Sequence, residues 1–321
     1  MKGESNRRRP LLLRLTGVVE AAGMLALVAT LVALLAGVHW VAALAVHYPA
    51  QYAAVLLVAT ILSLAGRRRS QAALFAAGMV VNLAILLPGW WRVEVPGGTA
   101  GSALRVLSMN VLASNGSYDR IRNAISVRHP EVLVVIELTP EGARQLESIH
   151  GEFPHRRLDP SPGNFGIGLY SRLPLLSCES VVIGPAGVPS LQARFRVGER
   201  EVTLVATHPV PPITGANARD LEAQLLGVGE RCRETAGPVV LVGDLNTTPW
   251  SPVFRRLKKA GGLQDTLAGR GWQPTWPAPL GFAGIPIDHC LVSEEWRVAE
   301  RSTGPAVGGD HLPLFVDLRL P

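Results

Sequence analysis

The first third of this sequence is short of charge. Between Glu20 and Arg67 there is no Asp, Glu, Lys or Arg, which rules out an ordinary solvated surface for that stretch. Charged residues make up only 17% of the 321-residue chain against 48% hydrophobic ones, and the apolar excess is concentrated in the first ninety positions. Cysteine is scarce too. Cys178, Cys232 and Cys290 are the only three and have no C-x-x-C spacing, so neither a disulfide framework nor a cysteine-held zinc is implied and the redox compartment stays open. There is no internal repeat and no low-complexity tract. The net charge of +6 comes largely from arginine, including the tight clusters Arg7–Arg9 and Arg67–Arg69. Clusters flanking apolar runs are explained by membrane topology rather than by nucleic acid.

A spanning helix needs about 20 apolar residues. The uncharged stretch after Glu20 can therefore hold two spans, with a turn in the region from His39 to Gln51. A third uncharged stretch runs from Ser70 to Trp91 and ends in "PGWW", and paired tryptophans suit a membrane interface. The sequence thus predicts three transmembrane helices, roughly 16 to 38, 43 to 66 and 71 to 91. Both arginine clusters fall on one side of them, which the positive-inside rule makes the cytoplasm. Residues 1–15 become a basic cytoplasmic N-terminus, 16–91 a three-helix anchor, and everything after Trp91 lies outside the cytoplasmic membrane. A cleaved signal peptide fits poorly, because two more apolar runs follow the first.

Residues 92–103, "RVEVPGGTAGSA", have the Pro/Gly/Ser character of a linker. The texture then changes. "ALRVLSMNVL", "PEVLVVIEL", "FGIGLYS", "VTLVATHPV", "GPVVLVGDLN", "PIDHCLVS" and "PLFVDLRL" are short runs rich in Val, Leu and Ile that predict strands. Helical periodicity appears in "YDRIRNAISVRH", "TPEGARQLESIH", "NARDLEAQLLGVGERCRE" and "SPVFRRLKKAG". Strands mixed with helices over 104–321 predict an α/β sandwich with buried sheets.

Polar residues recur where these apolar runs end. Asn110 follows "VLSM", Glu137 follows "VLVVI", His208 follows "VTLVAT", and Asp244 and Asn246 follow "VVLVG". Asp288 and His289 precede "CLVS", and Asp310 and His311 precede "LPLFV". Taken singly, an Asp or Asn at a strand end is usually a turn or helix cap, and a lone His a satisfied core or surface residue. Recurrence on six strands needs more than that, because packed strands bring such termini to a common edge. Glu137, Asp244, Asp310, Asn110 and Asn246 are hard oxygen donors, which favour magnesium or manganese over zinc or copper. His208 and His311 can move a proton or stabilise developing negative charge. Together they suit in-line displacement at phosphorus.

The ordered series "SMNV", "VIEL", "THPVPP", "GDLNTTPWSP", "PIDHCLVS" and "GDHLPL" resembles the endonuclease/exonuclease/phosphatase superfamily. That is the fold of the pancreatic-type deoxyribonucleases, abasic-site endonucleases, neutral sphingomyelinases and inositol polyphosphate phosphatases. The likeness covers about residues 104–321. It implies a DNase I-like four-layer α/β sandwich, two packed mixed sheets flanked by helices, here preceded by three transmembrane helices. It further implies that Glu137 is the principal ligand of a Mg2+ or Mn2+ ion, with Asn110 and Asp310 on or near the metal. Asp244 and Asn246 would orient the attacking water and hold a phosphoryl oxygen. Asp288 would orient His311, as general base or transition-state donor, and His208 would be a second donor to the phosphate. Asn164 and Trp276 fall where substrate-side loops are expected. Gly309 stands where the family often has Ser, and Leu112 where nuclease members often carry an acid.

The resemblance fixes a reaction class, a metal-dependent phosphoric ester hydrolase, but not a substrate. The expected partners are a lipid bilayer, through three transmembrane helices, and a phosphate ester. The arrangement is similar to bacterial membrane-anchored members, including those linked to teicoplanin resistance in actinobacteria, which points to a lipid-linked cell-wall phosphate. The rival readings are a membrane-anchored extracellular nuclease, which needs a basic groove interleaved with aromatics, and a sensor or scaffold that has lost catalysis.

Overall fold

The computed structural model describes residues 5–321, with side chains from Thr16 on. Residues 1–4 and the side chains of Arg7–Arg9, in the expected cytoplasmic N-terminus, lie outside the described residues. The chain divides into two units, a first that runs to Pro88 and takes in Trp250–Pro252, and a second made of Gly89–Pro249 and Val253–Pro321.

The N-terminal part consists of α1 (Ser5–Ala33), α2 (Trp40–Ala45), α3 (Pro49–Ala65) and α4 (Arg69–Trp91). Three spans were expected, and two helices, Thr16–Ala33 and Arg69–Trp91, are long and apolar enough to cross a membrane. The expected second span is instead divided. Pro49 opens α3 and drives Tyr48 out of helical geometry (φ −117°, ψ 35°), which leaves α3 with 17 residues. Small side chains let the helices approach: a Cβ at Gly23 would lie 2.7 Å from that of Ala59. Polar groups turn inward, with Asn82 Nδ2 donating to Thr30 Oγ1 at 2.8 Å in the buried interior. Leu25, Leu31, Ile61 and Val80 face outward and are exposed.

The second unit begins its first sheet with β1 (Ser102–Asn110), α5 (Tyr118–Arg128), β2 (Val132–Ile136), α6 (Pro140–Gln145), β3 (His155–Asp159) and β4 (Ile167–Ser171). Next come β5 (Leu175–Val182), β6 (Pro189–Val197), β7 (Arg200–Thr207), α7 (Gly215–Glu234), β8 (Val239–Asp244) and α8 (Pro252–Gly261). The chain closes with β9 (Gln264–Asp265), β10 (Asp288–Val292), β11 (Arg297–Thr303) and β12 (Leu314–Leu320). Two six-stranded sheets result, ordered β11-β12-β1-β2-β4-β3 and β5-β6-β7-β8-β10-β9. Each is mixed, with a single parallel pair at its heart, β1 with β2 and β7 with β8. A helix, α5 or α7, makes the crossover that a parallel pair needs.

Alternation along the central strands builds the layers. Val106, Val134, Leu204, Val242 and Cys290 lie in one core between the sheets. Their neighbours Leu107 and Val135 pack outward under α5, while Leu241 and Leu291 pack outward under α7 and α8. The result is the expected order of layers: helix, sheet, sheet, helix.

Residues 92–103, expected as a linker, are held in place. Val95 is wholly buried in the inter-sheet core. Both carboxylate oxygens of Glu94 lie 2.6 Å from Lys258 Nζ, and one accepts from the Asp265 N–H at 2.9 Å. Arg270 donates to the Val95 carbonyl at 2.6 Å, and Ser102 already belongs to β1.

Candidate active site

The site forms where the inward-facing rows of both sheets run out. In β1 the row Leu104, Val106 continues two residues at a time to Asn110; in β7 the row Val202, Leu204, Ala206 continues to His208; in β8 the row Val240, Val242 continues to Asp244. β10 runs antiparallel to β8 with Asp288 opposite Asp244, so Asp288 opens the row that passes on to Cys290. β12 runs antiparallel to β1, which brings the preceding Asp310 and His311 to the same edge. Glu137 breaks the alternation. It follows β2 with φ at +61°, a costly conformation for a residue with a side chain, and Asn246 (φ +48°) and Leu112 (φ +62°) share it nearby. Gly243 (φ +149°) lets β8 approach β7, since a Cβ there would lie 2.0 Å from the Thr207 carbonyl oxygen.

Asp244 is the hub. Its Oδ2 accepts from Asn110 Nδ2 at 3.1 Å and lies 3.5 Å from Nε2 of both His208 and His311. Its Oδ1 accepts from the Asn246 N–H at 3.0 Å, while Asn246 Nδ2 donates to the Pro209 carbonyl at 2.9 Å. Asn110 Nδ2 also donates to Glu137 Oε1 at 3.0 Å, so this amide ties two carboxylates together. Glu137 Oε2 accepts from the Ala113 N–H at 2.9 Å. On the other side, His311 Nδ1 donates to Asp288 Oδ2 at 2.8 Å. Asp244, His311 and Asp288 form a buried chain with ligand-type atoms within 4.8 Å of one another.

Burial alone would lower the His311 pKa, but Asp288 and Asp244 overcome it, with Asp310 adding to them, and push it up to about 10. This imidazole is therefore a cation at neutral pH and its proton is held for donation.

Asp310 Oδ2 accepts from Trp276 Nε1 at 3.1 Å, which brings Trp276 into the site, while Asp310 Oδ1 is buried with no hydrogen-bond partner. Asn164 is exposed and makes no hydrogen bond to the site among the described residues; its neighbour Phe165 sets its ring 5.6 Å from that of His208. Thr275 is a positioning residue that the sequence pattern does not single out. Its hydroxyl accepts from the N–H groups of Ile287 and Asp288, both at 3.1 Å, and the only sequence signal is its place beside Trp276. His289 points away from the site, as strand alternation requires. Its Nε2 pairs with the Thr247 carbonyl at 2.8 Å, and its ring packs 4.6 Å from that of Phe254.

A divalent cation suits this donor set. Glu137, Asp244, Asp288 and Asp310 share the edge with only two imidazoles, an acidic environment that a cation would neutralise, and Asp310 Oδ1 is an acceptor in want of a partner. His311, with Nδ1 bonded to Asp288 and its ring held charged, offers a proton rather than a lone pair. The Asn110 oxygen already accepts from the Leu112 N–H at 3.1 Å, so its amide would have to turn over to ligate.

Comparison with known proteins agrees with this fold. The model of the endonuclease/exonuclease/phosphatase family matches residues 107–311. A UPF0294 protein of Vibrio cholerae is 28% identical over 163 residues, covering 48% of this chain and 54% of its own. The chain thus spans about half the length of that curated relative. The crystal structure of an endonuclease/exonuclease/phosphatase from Beutenbergia cavernae superposes with a TM-score of 0.55 at 24% identity, covering 68% of this chain and 72% of that one. The human Nocturnin catalytic domain with bound sulfate gives 0.57 at 15% identity, covering 72% of this chain and 100% of that one. At these identities the two structures show a shared fold.

Proposed function

This chain belongs to the endonuclease/exonuclease/phosphatase family, and from that premise we propose that it is a membrane-anchored, divalent-metal-dependent phosphoesterase acting outside the cytoplasmic membrane. The observation that carries the reading is the buried chain Asp244–His311–Asp288, in which a charged imidazole stands between two carboxylates at the joint edge of the sheets. In it, Asp244 orients a water molecule for in-line attack and accepts its proton, with Oδ1 steadied by the Asn246 N–H. His311, kept protonated by Asp288, donates to the phosphoryl oxygen on which charge grows as the ester P–O bond breaks. His208, at the same distance from Asp244, offers a second donor. Glu137 with Asp310 would hold Mg2+ or Mn2+, and Asn110 would keep Glu137 and Asp244 in place or ligate after an amide turn. When bound, the ion supplies neutralisation of the phosphoryl oxygens. Asn164 and Trp276 border the substrate side.

The anchor reading is supported by the N-terminal helices, which expose Leu25, Leu31, Ile61 and Val80 outward while bonding Asn82 to Thr30 within. The arginine clusters set the orientation. A lipid-linked cell-wall phosphate, as in the membrane proteins linked to teicoplanin resistance, is the substrate this topology favours. The test is hydrolysis by the purified full chain of a panel containing bis(p-nitrophenyl) phosphate, DNA, a phospholipid and a polyprenyl pyrophosphate, each with Mg2+ or Mn2+. Turnover of the activated diester is expected, with the lipid substrates preferred over DNA; no turnover of any member refutes the reading.

A further inference from the structure

The loops beside the site carry apolar side chains where a soluble enzyme would carry polar ones. Beyond α4 the large hydrophobic residues left exposed are Val93, Val127, Leu176, Val182, Ile213, Leu280 and Phe282. Three of these seven sit on the two loops that leave the site, and Phe282, at 81%, is the most exposed of the seven. Ile213 follows His208 in "HPVPPI", a loop tied to the site through Pro209 and Asn246. Leu280 and Phe282 follow Trp276, on a loop tied to Asp310 through Trp276 Nε1 and through the Ala278 N–H, which donates to the Asp310 carbonyl at 2.7 Å.

Phe282 is presented rather than left loose. Trp272 Nε1 donates to its carbonyl at 2.8 Å, and the Trp272 and Phe282 rings lie 6.4 Å apart. The loop is braced at its base by the Ile285 and Trp276 backbone groups, which bond to each other in both directions. Charge is missing as well. No Asp, Glu, Lys or Arg occurs in 271–287, in 209–218, or in 160–171, the segment that places Phe165 beside His208. A rim without cations cannot follow a polyphosphate backbone. An uncharged rim with an upright Phe, a Leu, an Ile and a tryptophan near its base matches instead the composition that enters the headgroup and acyl boundary of a bilayer.

We infer that loops 208–213 and 276–283 form a lipid-docking rim, by which the catalytic unit inserts Phe282, Leu280 and Ile213 into the bilayer surface and brings its site to phosphate esters lying in that surface. This rests on the reading of the chain as a membrane-anchored phosphoesterase.

The experiment uses the full chain carrying Phe282→Cys, reacted with the environment-sensitive fluorophore NBD and reconstituted into phosphatidylcholine vesicles with or without brominated acyl chains. Val127→Cys, exposed in the last turn of α5 where the chain enters β2 at the end of the sheet opposite the site, is the aqueous control, and the unsubstituted chain corrects for labelling of the native cysteines. The inference expects blue-shifted emission at 282, quenched at least about twofold by brominated lipid, with no quenching at 127. Emission at 282 typical of water overturns it. So does blue-shifted emission that brominated lipid leaves unquenched, since a protein surface would then be covering the loop. Hydrolysis of bis(p-nitrophenyl) phosphate by the unsubstituted chain in the same vesicles is read separately: its absence refutes the phosphoesterase reading and leaves the insertion result standing.

Discussion

Asp288 and His311, 23 residues apart in sequence, meet at 2.8 Å through Oδ2 and Nδ1, and neither acid-imidazole couple visible in the sequence pairs internally. The pair is crossed. Asp288 serves the second imidazole, while its own neighbour His289 is turned by strand alternation to the opposite face. The crossing is what makes His311 a stored proton, since burial would otherwise lower its pKa and Asp288, with Asp244, pushes it to about 10.

Asp288→Asn should therefore move the pH profile. If His311 works as a donor, activity is present while its imidazole is protonated and is lost as pH rises through its pKa. Removing the Asp288 charge takes away the strongest influence raising that pKa, so the alkaline limb of kcat should move to lower pH by at least about one unit. An unmoved alkaline limb would show that His311 does not carry the titrating proton.

His311→Ala and Asp244→Asn should each lower kcat on bis(p-nitrophenyl) phosphate by at least about a hundredfold. Asp244 contacts Asn110, Asn246 and both imidazoles, so its variant also needs a thermal melt to separate lost chemistry from lost fold. Undiminished turnover in both folded variants would dismiss this edge as the site.

Metal dependence should appear in stability as well as rate. Chelation should abolish turnover, and Mg2+ or Mn2+ should restore it. An ion bound only by the folded chain adds about 2.7 kcal/mol at a hundred times its Kd, so the melting temperature should climb with metal concentration. Glu137→Gln should shift that climb to higher concentration. Identical metal titrations for Glu137→Gln and the unsubstituted chain would remove Glu137 from the ligand set.

The sequence made the centre of each sheet readable and left the margins obscure. The seven strands it predicts include β1, β2, β7, β8 and β10, which are buried on both faces and so read as unbroken apolar runs. The strands it misses, β3, β5, β6, β9 and β11, include all four sheet edges. Edge strands alternate or are polar, as in "HRRLD" and "LLSCESVV", because one face or one side meets solvent. The segment 92–103 misleads for a related reason. Its Pro and Gly residues mask the alternation in "VEV" that buries Val95 and turns Glu94 to Lys258. At the site Asn110, His208, Asp244 and Asp288 were legible because each ends or opens an inward row, and Glu137 because it directly follows a wholly apolar strand. Thr275 was not, since its work is to fix two backbone N–H groups, and a hydroxyl in a loop announces no such role.

His289 should make the catalytic unit acid-sensitive. It is fully buried, and burial lowers its pKa to about 4 from the ordinary 6.5. Above pH 6.5 it is neutral in folded and unfolded chains alike. Between 6.5 and 4 only the unfolded chain takes up the proton, so stability falls as pH falls through that window, by roughly 3 kcal/mol. His289→Gln keeps a donor for the Thr247 carbonyl and does not titrate. Chemical unfolding at pH 7 and pH 4.5 should show a smaller acid loss in this variant, and an equal loss in both would assign the effect to other groups.

Topology gives the last expectation. Between the two clusters Arg7–Arg9 and Arg67–Arg69 lies the uncharged stretch 21–66, and the chain must cross the bilayer an even number of times there if both clusters are cytoplasmic. The helix after the second cluster, α4, is long and apolar enough to cross once more and would carry the catalytic unit outside. α3, at 17 residues, is short for a bilayer core of about 30 Å, since a helix rises about 1.5 Å per residue and so covers some 26 Å. Local thinning or flanking residues can absorb a deficit of that size. An alkaline phosphatase fused after Pro321 should therefore be active, since that reporter works only outside the cytoplasm, and one fused after Arg69 should be silent. The reverse pattern would mean that α3 does not span, and would place the catalytic unit in the cytoplasm.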